Sequence, residues 1–148
     1  MSFVTCIYHL VFAPKNRKPV IITEKEREVY SILVSILRKN GCFVHRVGGM
    51  PDHVHILLDI PPTTSISSII QKLKRESSTI IRDNSILPAW DGWQNGYGLF
   101  SCSYEDKESV RQYIMNQKEH HKKVRYIDEL RRWLINNGIP ENAPFFPD

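Results

Sequence analysis

"GGMPDHVHILLDIPP", residues 48–62, reads as a turn feeding a strand, and its side chains decide what the strand is for. A strand alternates its side chains between two faces, so His53, His55 and Leu57 point one way while Val54, Ile56 and Leu58 point the other. One face is oily; the other offers two imidazoles side by side. The run before it, "CFVHRVGG" (42–49), also has strand character, and the short Gly48-Gly49-Met50-Pro51-Asp52 link makes the two an antiparallel hairpin.

Working outward, "FVTCIYHLVF" (3–12) alternates as a first strand with Val4, Cys6, Tyr8, Leu10 and Phe12 on one apolar face. The basic, turn-rich "APKNRKPV" ends it. "TEKEREVYSILVSILRKNG" (23–41) then predicts a helix: a capping box from Thr23 to Glu26, apolar residues at Val29, Tyr30, Leu33, Ile36 and Leu37, and a stop at Asn40-Gly41. Beyond Pro61-Pro62, Ser65 to Arg82 predicts a second helix with Ile66, Ile69, Ile70, Leu73, Ser77, Ile80 and Ile81 on one face. "DNSILPAWDGWQN" (83–95) reads as a loop and "GYGLFSCSY" (96–104) as the last strand. Ser103 and Asp106 are candidate caps for a helix running to about residue 122, and an amphipathic stretch from Ile127 to Asn136 stops at Gly138. The tail "IPENAPFFPD" reads as extended.

The order β-α-β-β-α-β, followed by C-terminal helices, predicts an α+β, ferredoxin-like antiparallel sheet with helices on one face. The open face of such a sheet often meets nucleic acid. At 148 residues and 41% hydrophobic, the chain can bury one sizeable core and reads as a single domain over 1–148. Twenty Lys and Arg against 16 Asp and Glu give a formal charge of +4, a mild bias that suits a polyanionic partner and is equally an ordinary solvated surface. Cys6, Cys42 and Cys102 are far apart with no CxxC pair, which excludes a thiolate zinc site or disulfide framework and predicts reduced, buried thiols. The N-terminus lacks a signal-peptide pattern, and no run approaches the roughly 18 apolar residues of a membrane helix, so the expected location is cytoplasmic, with the nucleoid, and no membrane partner is expected.

Two neutral imidazoles at i and i+2 of one strand can ligate a divalent metal together. In "YIMNQ", Tyr113 and Gln117 are one helical turn apart, on the face that also carries Val110, Ile114 and His121. A helix packed on the sheet through Val110 and Ile114 would present a phenol and a carboxamide toward the histidines. From spacing alone Tyr113 is equally a half-buried core residue and Gln117 a surface one.

"MPDHVHILL", "GYGLFSCSY" and "YIMNQKEHHKK", in that order and spacing, resemble the small single-tyrosine HUH transposases of bacterial insertion sequences, to which the REP-associated tyrosine transposases are related. The likeness runs from "YHLVFAPKNRKPV" through "LRRWLINNGIP", nearly the whole chain. It implies a DNA transposase that cuts and rejoins single-stranded DNA near hairpins through a 5′-phosphotyrosine intermediate, acting as a homodimer and without a nucleotide cofactor. By resemblance, His53 and His55 are paired metal ligands, Tyr113 is the nucleophile and Gln117 a third ligand, with Mg2+ or Mn2+ as the ion. Two imidazoles tilt the intrinsic preference toward manganese or zinc. Because the ligands are neutral imidazoles, activity is expected to fall as pH drops through about 6.5.

Lys15, Arg17 and Lys18 after the first strand, and Lys72, Lys74 and Arg75 on the second helix, are candidate contacts to a DNA backbone or plain surface charges. Trp90, Trp93 and Tyr97 are candidates for stacking on unpaired bases or for a local apolar cluster. Asp52 could orient an imidazole or cap the turn. His120 and His121 read as DNA-contact or packing residues, His121 lying two turns beyond the tyrosine, and His9 and His45 receive no role. A non-catalytic single-strand or RNA-binding module on the same fold, and a host-tamed relative acting on repeated hairpins, are the alternative readings.

Overall fold

The computed structural model describes residues 1–144. Four strands, β1 (Ile7–Phe12), β2 (Phe43–Met50), β3 (His53–Asp59) and β4 (Gly98–Cys102), form one sheet in the order β2-β3-β1-β4, every neighbouring pair antiparallel. Helices α1 (Glu26–Lys39) and α2 (Ile66–Asp83) link β1 to β2 and β3 to β4. This is the ferredoxin-like α+β arrangement that the element order implies.

The two faces of β3 are divided as its alternation requires. Val54, Ile56 and Leu58, with Leu10 and Phe12 of β1, form the main core with Val29, Leu33, Ile36 and Leu37 of α1 and Ile69, Ile70, Leu73 and Ile81 of α2. The opposite face, carrying His53, His55 and Leu57, is not open. α3 (Lys107–Met115) packs Ile114 with Ile7 and Leu57, and α5 (Tyr126–Asn136) packs Tyr126 with Val11, Ala13 and Phe100. Both histidines are consequently buried.

Several boundaries differ from expectation. β1 begins at Ile7, and the exposed segment before it forms no strand. α1 begins at Glu26 after a 3-10 turn at Thr23–Lys25, and no side chain caps it, so the Thr23–Glu26 capping box does not form. α2 has the cap its sequence offers, Ser65 Oγ accepting from Ser68 N–H at 3.4 Å. On α2 the expected stripe narrows, Ile80 remaining exposed. Ahead of α3, Ser103 Oγ accepts from Asp106 N–H at 3.1 Å, whereas Asp106 caps with no side-chain bond. Of the cysteines, Cys42 is buried and Cys6 and Cys102 are half-buried, all free. The tail forms a turn, Ala143 N–H donating to Pro140 O at 2.9 Å; its end, 145–148, lies outside the described residues.

The hairpin is tighter than its glycines imply. β2 continues through Gly48 and Gly49 to Met50, which pairs with His53, leaving Pro51 and Asp52 as the whole turn. Gly48 sits opposite His55, and a Cβ there would come within 2.7 Å of the Ile114 carbonyl oxygen. A glycine in a strand here marks close approach of another backbone, and α3 rests on the sheet because Gly48 has no side chain. Gly48→Ala should lower stability by roughly 1–3 kcal/mol through overpacking, read as a lower urea midpoint; an unchanged midpoint would contradict this contact.

Candidate active site

Burying an imidazole leaves two ring nitrogens to satisfy, and four different elements supply the partners here. The hairpin turn brings Asp52 Oδ1 to 2.7 Å from His53 Nδ1. Neighbouring β1 brings His9 Nε2 to 2.7 Å from His55 Nδ1, the rings stacked with centroids 4.9 Å apart. The remaining nitrogens, both Nε2, face away from the sheet. There His53 Nε2 is 3.0 Å from Gln117 Oε1, and His55 Nε2 is 2.8 Å from Glu129 Oε1.

The helix that carries Tyr113 breaks just before Gln117. The continuous helix expected from Asp106 to about residue 122 ends instead at Met115. Asn116 leaves helical geometry at φ −93°, ψ 15°, and a one-turn helix, α4 (Gln117–His120), restarts there. The break swings Gln117, His120 and His121 together over the histidine strand. Tyr113, in the last full turn of α3, points its hydroxyl into the same place and donates to Glu129 Oε2. Its ring centroid is 5.8 Å from that of His55, so the tyrosine meets the histidines of its own chain.

Glu129 is the hub. It is a carboxylate with 2% exposure, and besides Tyr113 its oxygens lie 3.5 Å from His53 Nε2, 3.1 Å from His120 Nε2 and 2.9 Å from His121 Nε2. Burial alone would push its carboxyl up, but the hydrogen bonds of His121, His53 and His55 outweigh that and hold it far below the usual carboxylate range. Burial, opposed by Glu129, takes His55 down to about 4. Burial also acts on His53, but there the contacts with Asp52 and Glu129 prevail and raise it. The two imidazoles are thus shifted in opposite directions from their ordinary value. Burial and then the Glu129 charge push the Tyr113 phenol above its ordinary range.

The donor set fits a divalent cation. With bonds of about 2.1 Å, neighbouring ligand atoms around such an ion stand roughly 3.0–3.4 Å apart; close to that spacing, His53 Nε2 is 3.0 Å from Gln117 Oε1 and 3.5 Å from Glu129 Oε1, and His55 Nε2 is 2.8 Å from Glu129 Oε1. His53, His55, His121 and Glu129 each offer one ligand atom, all within 4.8 Å of one another. Asp52 and His9, holding the opposite ring nitrogens, occupy the places of orienting partners.

His120 and His121, expected to contact DNA or pack, instead join the cluster through Glu129. His9 and Glu129 were not singled out by sequence. Both had a signal: His9 falls on the Ile7–Val11 face of a strand, and Glu129 interrupts the apolar stripe Tyr126, Leu130, Trp133 of α5. His45 lies apart, 3.0 Å from Asp59 Oδ1.

The expected DNA contacts divide. Lys15, Arg17 and Lys18 are exposed, and Arg17 lines a cavity of about 600 Å³ with Asp52, His121 and Arg125 beside the histidines. Lys72, Lys74 and Arg75 lie on α2, across the sheet from the site. The Lys74 ammonium is committed to the Gln94 and Gly96 carbonyls at 2.6 and 2.7 Å, so it pins the 83–95 loop and is not free for phosphate. Nor are the tryptophans free for bases: Trp93 is buried against Phe12 and donates to Ser77 Oγ at 2.9 Å, and Trp90 packs on Trp93. Tyr97 stays exposed.

Residues 2–117 match the family model described as "Transposase IS200 like". The chain belongs to that family. It is 41% identical over 76 residues to the transposase for insertion sequence element IS200 of Salmonella typhimurium, a match covering 51% of this chain and 50% of that protein, so the chain matches about half the length of these relatives. It is 29% identical over 117 residues to the ISDra2 transposase TnpA of Deinococcus radiodurans, covering 76% of this chain and 84% of that one. Among solved structures, a Deinococcus radiodurans protein aligns with a TM-score of 0.61 at 30% identity, over 79% of this chain and 95% of its own. A REP-associated tyrosine transposase bound to a REP hairpin aligns with 0.63 at 14% identity, over 100% and 94%, a likeness of fold. The family match ends at Gln117; His120, His121 and α5 with Glu129 lie beyond it.

Among the described residues His9 Nδ1 has no hydrogen-bond partner, and the ring's one hydrogen bond is to His55. His9→Ala should cost roughly 2–4 kcal/mol, a cavity plus an unsatisfied ring nitrogen, and should change the His55 ring-nitrogen shifts in NMR, while His9→Gln keeps them closer to wild type. Unaltered His55 shifts in the alanine variant would contradict the pairing.

Proposed function

We propose that this chain is a metal-dependent single-tyrosine transposase that cuts and rejoins single-stranded DNA at hairpin-bearing element ends, forming a 5′-phosphotyrosine on Tyr113 with Mg2+ or Mn2+ held by His53, His55 and Gln117. The convergence of a phenol, two oriented imidazoles and a carboxamide at one buried point carries this reading. Membership of the IS200-like family supports it, as does the hairpin bound by the REP-associated neighbour.

A phenol is a poor nucleophile at neutral pH, and the Tyr113 environment makes its proton harder still to lose. When bound, the cation supplies withdrawal of charge from a non-bridging phosphate oxygen and stabilisation of the leaving 3′ oxygen. Asp52 and His9 keep the two Nε2 atoms directed at one point, and Glu129 Oε2 accepts the hydrogen bond of the Tyr113 hydroxyl and so orients its oxygen. The Tyr113 oxygen bonds to phosphorus as its proton passes to water, the bond from phosphorus to the 3′ oxygen breaks, and that oxygen takes a proton from water and leaves as a 3′ hydroxyl. The 5′ end stays on the tyrosine as a phosphodiester, so a second strand's 3′ hydroxyl can reverse the step without a nucleotide cofactor. Arg17 and Arg125 flank the cavity beside Asp52 and are suited to the phosphates of the entering strand.

Because Tyr113 meets its own chain's histidines, we infer that each site works in cis, also within the homodimer expected for this family. On incubation with hairpin-bearing single strands and Mn2+, the wild-type protein should form a covalent adduct on a denaturing gel, and Tyr113→Phe or a chelator should abolish it. Mixing Tyr113→Phe with His55→Ala should not restore it. Adduct formation by Tyr113→Phe would overturn the nucleophile; restoration on mixing would overturn the cis arrangement.

A further inference from the structure

α5 brings one buried carboxylate to the imidazoles. Tyr126, Glu129 and Trp133 share a helical face. Tyr126 stacks on His53 with centroids 4.1 Å apart, and Trp133 meets His9 edge-on at 4.5 Å, so the helix is seated over both rings and its acid enters between them. Glu129 Oε1 is 2.8 Å from His55 Nε2 and 3.5 Å from His53 Nε2, the spacing of neighbouring ligands around one small cation.

Charge leads to the same place. Imidazoles that bind a metal do so as neutral rings. At 2% exposure the Glu129 carboxylate has Oε2 surrounded by Tyr113, His120 and His121, while Oε1 faces His53 and His55, which leave its charge unmatched on that side when both rings are neutral. A divalent cation against Oε1 compensates it. We propose that Glu129 is itself a ligand of that cation through Oε1, added to His53, His55 and Gln117, while Oε2 holds the Tyr113 hydroxyl. One side chain then joins the metal to the nucleophile. An anionic oxygen beside Gln117 Oε1 makes the set half oxygen, favouring a hard ion such as Mn2+ over zinc more than the two histidines alone would. The ligand comes from beyond Gln117, outside the part of the chain shared with the family model. The assignment rests on the reading above that His53 and His55 hold a divalent cation.

The test is Mn2+ binding to the full chain without DNA, followed by the loss of the free-ion signal in electron paramagnetic resonance, with circular dichroism confirming each fold. Wild type should bind, His55→Ala should lose binding, and Glu129→Gln should weaken it by at least about tenfold. Loss in His55→Ala with equal or tighter binding in Glu129→Gln overturns the Glu129 assignment and leaves the histidine reading standing. No binding by the wild type overturns both. Should Glu129→Gln lose its fold, difference infrared spectroscopy of the wild type decides: Mn2+ must shift a carboxylate stretching band, and no shift overturns the proposal.

Discussion

Two imidazoles buried side by side on β3 impose the constraint around which the second face of this protein is built. A buried ring nitrogen without a partner costs on the order of 1–3 kcal/mol, and His53 and His55 present four of them. Their partners come from the hairpin turn, β1, α4 and α5, segments far apart in sequence. The polar cluster therefore specifies how the C-terminal helices dock as much as the apolar contacts of Ile114 and Tyr126 do. The oily face of the same strand needs no such matching and is served by the repetitive packing of α1 and α2.

That division explains what could be read from the sequence. Alternation in β3 and the 3.6-residue stripes of α1 and α2 are local signals, and they led to the correct sheet and helix layer. The resemblance singled out His53, His55, Tyr113 and Gln117, which the fold brings to one place. Elsewhere local pattern fell short for physical reasons. "VRQYIMNQKEHH" has helical spacing throughout, so nothing in its local pattern marks the break at Asn116, where the helix ends and restarts. Gly48 and Gly49 look like turn residues, yet they are in β2, where a Cβ on Gly48 would meet Ile114 of α3 and one on Gly49 the backbone of β3 at His53 and Val54. Lys74 and Trp93 look like solvent or DNA-facing groups, and neither reading allowed for the 83–95 loop folding back on α2.

Glu129 shows most clearly what was legible but unread. An acid in the apolar stripe of an amphipathic helix is costly unless something opposite compensates it. Two strand histidines were already waiting for partners. Chemistry that depends on a buried hub of this kind is sensitive to its supports. Asp52, His9 and Glu129 touch His53, His55 and Tyr113 from different elements, and each couples the site to the packing of the fold. Among the described residues no helix is long and apolar enough to cross a membrane.

The central claim is that the β3 histidines exist to hold a cation in front of Tyr113. Anomalous scattering from crystals of the wild-type chain grown with Mn2+ tests it most directly. The account predicts a single strong peak within bonding distance of His53 Nε2, His55 Nε2 and Gln117 Oε1, on the side facing the Tyr113 hydroxyl. Saturating Mn2+ with no peak between those atoms, their nitrogens still paired only within the protein, would contradict it.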